Sequence, residues 1–338
     1  MIIHVIGNPG DIGGARTELW HSLRLWRAAG VEVTVWPGES LSVDWLTQLW
    51  NIGCTVESLD NIGTLSDAIV IGFCESLFWL HHATMRDHGC RTIWVGCMSE
   101  PSITERVECP YTGIADRYVF QSDSQATRMM GFLSAFGFRA DNARVIRGAF
   151  DASLYPWRPK PVREIDDLFT VGRLARPDVR KWYHDTWDVY GRIQHIGLRA
   201  RVMGVDDGVA QHIGQPPSWA EVLPPCAEPA EKFIRSLDAM VIPEGEAVEN
   251  WPRVGLEAMA LGVPLVVMDR GGWPEMVDHG VTGVLCATHA EMALYAGTLA
   301  VQPRLAADIA GNARESLRDI ADANLFTDQW RELIEEMQ

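Results

Sequence analysis

Residues 241–285 read VIPEGEAVENWPRVGLEAMALGVPLVVMDRGGWPEMVDHGVTGVL, and this stretch decides the fold. Val241 and Ile242 close an apolar run that Pro243 stops. Pro252 suits the first turn of a helix, where a missing N–H costs nothing. The helix is then RVGLEAMALG, ended by Gly262. Its N-terminus offers unpaired backbone amides and a positive dipole end, which together favour a phosphate. Glu249 lies just before that terminus and Glu257 about one turn inside it. Carboxylates accept hydrogen bonds from paired hydroxyls, as on a sugar or a ribose. A diphosphate on the amides with hydroxyls on the two acids describes a sugar nucleotide. One such Glu alone would read as a solvated helix-end charge; several spaced features together point to a site.

Outward from this stretch, short apolar runs alternate with helix-length amphipathic segments, which predicts parallel sheets covered by helices. MIIHVIG, VEVTVWPG, DAIVIGFC, RTIWVGCM, DRYVFQSD and ARVIRGAF form a first series of strands. LFTVGRL, LRARVMGV, AEVLPP, DAMVIPE, VPLVVMD and GVLC form a second. Helices are predicted over ARTELWHSLRLWRAAG, SQATRMMGFLSAFG and KWYHDTWDVYGRIQHIG. Asp151–Asp167 holds three prolines and no apolar period, so the boundary falls there. The expected domains are 1–152 and 153–322, each Rossmann-like, with a C-terminal helix at 323–338 that could pack on either. Ligands of such sheets sit beyond the carboxyl ends of the strands, so the expected site is a cleft between the two domains.

Bulk composition fits this picture. A chain of 338 residues exceeds one ordinary domain, and 47% hydrophobic with 22% charged residues is globular. Lys plus Arg is 29 and Asp plus Glu is 45, giving a net charge of −16. That surface repels nucleic acid and anionic membrane overall. Anionic ligands must then be met by particular cations or amides. The seven cysteines are scattered without a CxxC, which predicts free thiols in a reducing compartment. The start lacks a basic leader, and no apolar run nears the ~20 residues that span a bilayer. A soluble, cytoplasmic protein is expected.

A second basic signal is TVGRLARPDVRKW, where Gly172 and Arg173 end a strand and Lys181 follows eight positions on. A diphosphate needs such cations, and for Arg173 and Lys181 that reading is preferred to the usual one of a solvated basic run. In NPGDIGGAR, Gly13 and Gly14 precede the first helix and let backbone amides approach a phosphate. His81, His82 and His88 with Cys90 fit no standard zinc spacing and read as a helix face. Trp251 is the one tryptophan singled out as more than packing, because it lies beside Glu249.

These motifs resemble the Glu-x7-Glu region of the retaining glycosyltransferases of family 4, which have the GT-B fold of two facing Rossmann-like domains. The resemblance implies that Glu249 faces the donor sugar, that Glu257 binds the ribose hydroxyls, and that the amides of Arg253 and Val254 hold the diphosphate. It places Gly172, Arg173 and Lys181 at the leaving phosphate, and Gly13 and Gly14 over the donor or towards the acceptor. Gly271, Gly272 and Glu275 match the family's Gly-Gly-x-x-Glu, and Asp151 matches the Asp of its hinge segment, where Arg147 replaces the usual Asn. Asn250, Trp251 and Pro252 stand where relatives carry Gly-Phe-Gly. Asp178 stands where relatives carry the Lys, so Lys181 is a displaced match; Arg176 and Arg180 are the other cations in reach. Cys97, Met98 or Ser99 replaces a usual Thr-x-His histidine. A donor sugar held differently there, one without a 6-hydroxyl, is expected.

The implied activity is retaining transfer, hexosyl or pentosyl, from a nucleotide-diphosphate sugar, UDP-sugars first, to a hydroxyl acceptor. Domain closure would hinge near Phe150–Pro161. No cofactor and no metal are expected, since cations serve the phosphate. The acceptor would be a glycan or a small molecule, with nucleic acid disfavoured by the charge. The competing readings are a sugar-nucleotide 2-epimerase or phosphorylase of the same fold, and a non-catalytic sugar-nucleotide or glycan-binding module.

Overall fold

A computed structural model of the chain describes residues 1–193 and 197–338. It divides into two compact units, Met1–Asp151 with Ala321–Gln338, and Ala152–Ile320. The strands of the first are β1 (Ile2–Ile6), β2 (Glu32–Trp36), β3 (Thr55–Val56), β4 (Ile69–Phe73), β5 (Arg91–Gly96), β6 (Arg117–Phe120) and β7 (Ala143–Val145). All pair in parallel in the order β3-β2-β1-β4-β5-β6-β7. The helices between them are α1 (Gly14–Ala28), α2 (Val43–Asn51), α3 (Leu77–Asp87), α4 (Ile103–Thr112) and α5 (Asp123–Leu133).

In the second unit the strands are β8 (Phe169–Leu174), β9 (Leu198–Met203), β10 (Ala220–Leu223), β11 (Ala239–Val241), β12 (Leu265–Met268) and β13 (Val284–Cys286). They pair in parallel in the order β10-β9-β8-β11-β12-β13. Its helices are α6 (Thr186–Gly191), α7 (Asp207–Ile213), α8 (Ala230–Arg235), α9 (Arg253–Leu261), α10 (Trp273–Met276), α11 (His289–Val301) and α12 (Pro303–Ile320). The strand order reverses between β8 and β11, the place where open α/β sheets bind ligands.

α13 (Ala323–Glu335) returns to the first unit. Its Trp330 meets the fully buried Trp26 of α1 edge-on, centroids 5.0 Å apart, and Phe326 lies at 6.1 Å from the same ring. Aromatic pairs in this geometry add to what the buried area already contributes. Asp151, the hinge acid, accepts from Arg24 Nε at 2.8 Å, and its amide donates to His21 Nδ1 at 2.7 Å.

The opposite face of the first sheet carries a second core around Phe78, Trp79, Trp94 and Tyr118. His82 belongs to it. It is fully buried between the hydroxyls of Thr112 (3.2 Å) and Thr92 (3.3 Å), and burial pushes its pKa down to about 4. It is a satisfied core histidine, and among the described residues no His, Cys, Asp or Glu group could hold a metal. All seven cysteines are free thiols. No helix among the described residues is long and apolar enough to cross a membrane.

Glu105 of α4 is 1% exposed. One carboxylate oxygen closes a capping box with Ser102; the other, Oε1, has no hydrogen-bond partner among the described residues. Burial pushes its pKa up to about 7, against the pull of the Ser102 amide and of Arg106. The folded chain therefore keeps a proton that the unfolded chain releases near 4.5. Stability falls as pH rises between those values, by about 3 kcal/mol in all, and then levels off. Glu105→Gln keeps an acceptor for the capping box. It is expected to raise the melting temperature at pH 8 and leave it nearly unchanged at pH 5. Equal shifts at both pH values in thermal melts would refute this.

The helix expected from Lys181 to Gly197 differs from what forms. Val179–Lys181 is a single 3-10 turn, and α6 starts only at Thr186. Trp182 instead bridges Glu244 in antiparallel fashion, a tertiary contact that overrides the local helical period. The rest of that prediction, at 194–196, lies outside the described residues.

Candidate functional site

In the second unit, residues following the carboxyl ends of β8 and β11 converge around Glu249. Lys181 Nζ donates to Glu249 Oε1 at 2.6 Å, with side chains 20% and 25% exposed. Contacts from β8 and from the loop after β11 hold the Arg180–Lys181 backbone. The Lys181 carbonyl accepts from Gly245 N–H at 3.2 Å and from Arg173 Nη2 at 2.9 Å, and the neighbouring Arg180 carbonyl accepts from Ala247 N–H at 2.8 Å. Gly245 has no room for a side chain, because a Cβ there would lie 2.5 Å from the carbonyl oxygens of both Arg180 and Trp182.

Arg173 was expected to face the donor's diphosphate, yet it is 2% exposed. Its Nη1 donates to the Pro243 carbonyl, and its guanidinium lies 4.3 Å from the centre of the Trp182 ring. Burial pushes its pKa down, while Tyr190, Glu244 and Glu249 oppose this. In this structure its nitrogens clamp the backbone of the strand β11 exit to the Lys181 turn. Gly172 beside it sits against β9, where a Cβ would meet the Arg201 carbonyl oxygen at 2.0 Å.

α9 begins at Arg253, with Pro252 as its N-cap at φ −68°, and ends on Gly262 in the left-handed region at φ +70°. The amides of Arg253 and Val254 are therefore first-turn donors, ahead of any intrahelical acceptor. Glu257 is partly buried one turn further on, and the Tyr155 hydroxyl donates to its Oε1 at 3.3 Å. Burial raises the Glu257 pKa, countered by Arg253 and by that tyrosine. Trp251 is 3% exposed and Asn250 4%, so the indole is packed inside and is no stacking platform. Gly13 and Gly14 lie in the first unit, at the start of α1. A Cβ on Gly13 would meet nothing within 4 Å, so φ +91°, not crowding, is its reason for being glycine.

The sequence did not single out Tyr155, Glu244, Arg270 or Trp273. Tyr155 lies four positions after Asp151, inside the expected hinge at Phe150–Pro161, which was its available signal. Glu244 is 4% exposed and accepts from Trp273 Nε1 at 2.6 Å and Arg270 Nε at 2.9 Å. No local pattern announces those contacts. A separate cavity of about 230 Å³, lined by Phe169, Asp238 and Pro264, lies at the amino ends of the strands, away from these residues.

The arrangement is a lysine–glutamate pair at a helix N-terminus, with a second, partly buried carboxylate one turn inside. Its lysine, once parted from Glu249, and the first-turn amides can meet a phosphate, and its carboxylates can accept from hydroxyls. Residues 166–301 match the family model described as Glycosyl transferases group 1. A D-inositol 3-phosphate glycosyltransferase of Actinosynnema mirum is 40% identical over 81 residues, which cover 23% of this chain and 19% of that protein. One of Jonesia denitrificans is 34% identical over 113 residues, covering 33% and 24%. The aligned stretches thus span under a quarter of the length of either curated relative. The structure of Anabaena HepE in complex with UDP-glucose superimposes with a TM-score of 0.77 at 19% identity, covering 99% of this chain and 100% of that one. The fold is GT-B, and the group 1 match falls within its second unit.

Proposed function

We propose that the chain is a retaining glycosyltransferase that moves a sugar from a nucleotide-diphosphate sugar, UDP-sugars first, to a hydroxyl acceptor. The observation that carries this reading is the Lys181–Glu249 pair placed before the first-turn amides of α9, with Glu257 one turn inside. In the proposed complex the amides of Arg253 and Val254 and the Lys181 ammonium take the diphosphate, and Glu257 takes the ribose hydroxyls. Glu249, released from Lys181, faces the sugar. As the donor bond breaks, negative charge grows on the departing phosphate and the sugar gains oxocarbenium character. Once Lys181 has parted from Glu249, its ammonium and the first-turn amides stabilise that charge electrostatically. Arg173 contributes by holding the Lys181 turn in place. The group 1 match over 166–301 and the likeness to HepE, a protein solved with UDP-glucose, support the donor class.

Thermal shift with UDP-, GDP-, ADP- and TDP-sugars tests the reading, since a bound donor stabilises by mass action. A shift of several degrees with one series, and slow donor hydrolysis with the same series, are expected. No shift with any of the four, and no hydrolysis, would sink it. Donors that differ only in the 6-hydroxymethyl group then test the sugar. With Cys97, Met98 and Ser99 in place of a histidine, a pentose nucleotide is expected to be used at least as well as its hexose counterpart. Clean preference for a glucose nucleotide would overturn that.

A further inference from the structure

Glu244 is a buried acid that the proposed chemistry does not use. It opens the 244–250 loop, directly after Pro243, and Glu249 lies near the loop's other end. Its carboxylate reaches across to the segment after β12, taking the Trp273 indole on Oε1 at 2.6 Å and the Arg270 guanidinium on Oε2 at 2.9 Å. Arg270 then turns its other arm back onto the loop, donating to the carbonyls of Gly245 at 2.5 Å and Ala247 at 3.3 Å. The backbone completes the lacing, with Gly272 N–H on the Glu249 carbonyl at 2.8 Å. On its other side the same loop is tied to Arg180 and Lys181 through Ala247 and Gly245. Trp273 is fully buried, so the anchor point is fixed in the core.

A carboxylate this buried persists only while charge-assisted hydrogen bonds satisfy it. Burial, with the nearby Glu249 charge, pushes its pKa up, and Trp273 and Arg270 pull it only part of the way back. Loss of the acid leaves the Trp273 indole N–H and the Arg270 Nε without this acceptor, and removes one side-chain tie from the loop.

We propose that Glu244 is a positioning residue that sets the Glu249 carboxylate against Lys181, acting through Trp273 and Arg270 without touching the donor. The proposal rests on Glu249 being the donor-facing acid. Misplacing such a group by about 1 Å costs on the order of a hundredfold in rate.

The test compares Glu244→Gln and the gentler Arg270→Lys, which changes a partly exposed side chain, in the full chain. Donor hydrolysis is measured with and without Glu249→Gln. Amide hydrogen exchange is followed over 244–251 and 270–276. Either variant is expected to lower kcat roughly ten- to a hundredfold, with KM for the donor within about threefold. In the Glu249→Gln background the same change should cost less than about threefold, because it acts through a group already lost. Exchange over 244–251 should quicken in both. Two outcomes overturn the proposal: full multiplication of the two losses, or a lowered melting temperature with kcat and loop exchange unchanged. Absence of turnover in the unmodified chain refutes the role of Glu249 instead. In that case exchange alone still decides whether Glu244 fixes the loop, and unchanged exchange in both variants would refute it.

Discussion

Glu249→Ala is expected to lower turnover of the nucleotide-sugar donor by roughly 10²–10³-fold, the usual cost of losing one group aimed at developing charge. The carboxylate is the only acid in the 244–257 stretch that meets Lys181, and that contact is 2.6 Å. Its removal takes away the group that would face the sugar and frees the ammonium to settle elsewhere. The fold should hardly notice. Both side chains keep a fifth to a quarter of their exposure, and a single partly solvated ion pair contributes on the order of 1 kcal/mol. The melting temperature should therefore fall by no more than a few degrees. Steady-state hydrolysis and transfer assays, run beside thermal melts, separate the two effects. Donor binding should weaken less than turnover, because the amides of α9, Lys181 and Glu257 remain. Near-normal turnover by the variant would count against Glu249 as the donor-facing acid.

The parts of this site legible in the sequence are those fixed by local chemistry. Pro252 and Gly262 mark the two ends of α9 because a missing N–H and a missing Cβ each act within one turn. The strand series is legible because both faces of a parallel sheet are buried, which writes continuous apolar runs such as VPLVVMD. Lys181 was less legible. Its segment has a helical period from Lys181 onward, but Trp182 is captured by Glu244, 62 positions away, and the helix waits until Thr186. Arg173 reads as an accessible cation at a strand end, and only the Pro243 and Lys181 carbonyls reveal that its two terminal nitrogens are occupied. Glu244, Arg270 and Trp273 lie within one quoted stretch, yet nothing in spacing predicts that a loop acid will take an indole and a guanidinium from the next loop. Gly272 shows the same division: its position matches a motif, whereas its physical reason is a distance.

That distance makes Gly272→Ala the second large effect. Gly272 has φ −85° and ψ −5°, where alanine sits comfortably, so backbone strain is not the issue. Crowding is. A Cβ on Gly272 would lie 1.6 Å from the Asn250 carbonyl oxygen and 2.5 Å from its carbon. Neither is the yielding tip of a flexible side chain. The 249–250 backbone must retreat, and the Gly272 N–H bond to the Glu249 carbonyl, 2.8 Å long, lengthens with it. Overpacking of this kind costs about 3 kcal/mol, at the upper end of its usual range. For a chain of two such units that corresponds to a fall of roughly 6–12 °C in melting temperature. Turnover should fall well beyond what the remaining folded fraction explains, since the displaced backbone carries Glu249. Gly311→Ala supplies the matched control: this residue lies in α12 with nothing within 4 Å of a new Cβ. Alanine there should be neutral or stabilise by up to about 1 kcal/mol. Thermal melts and donor turnover on the two variants decide the matter. A Gly272→Ala protein as stable and as active as the unmodified chain would mean that the loop after β12 does not brace Glu249.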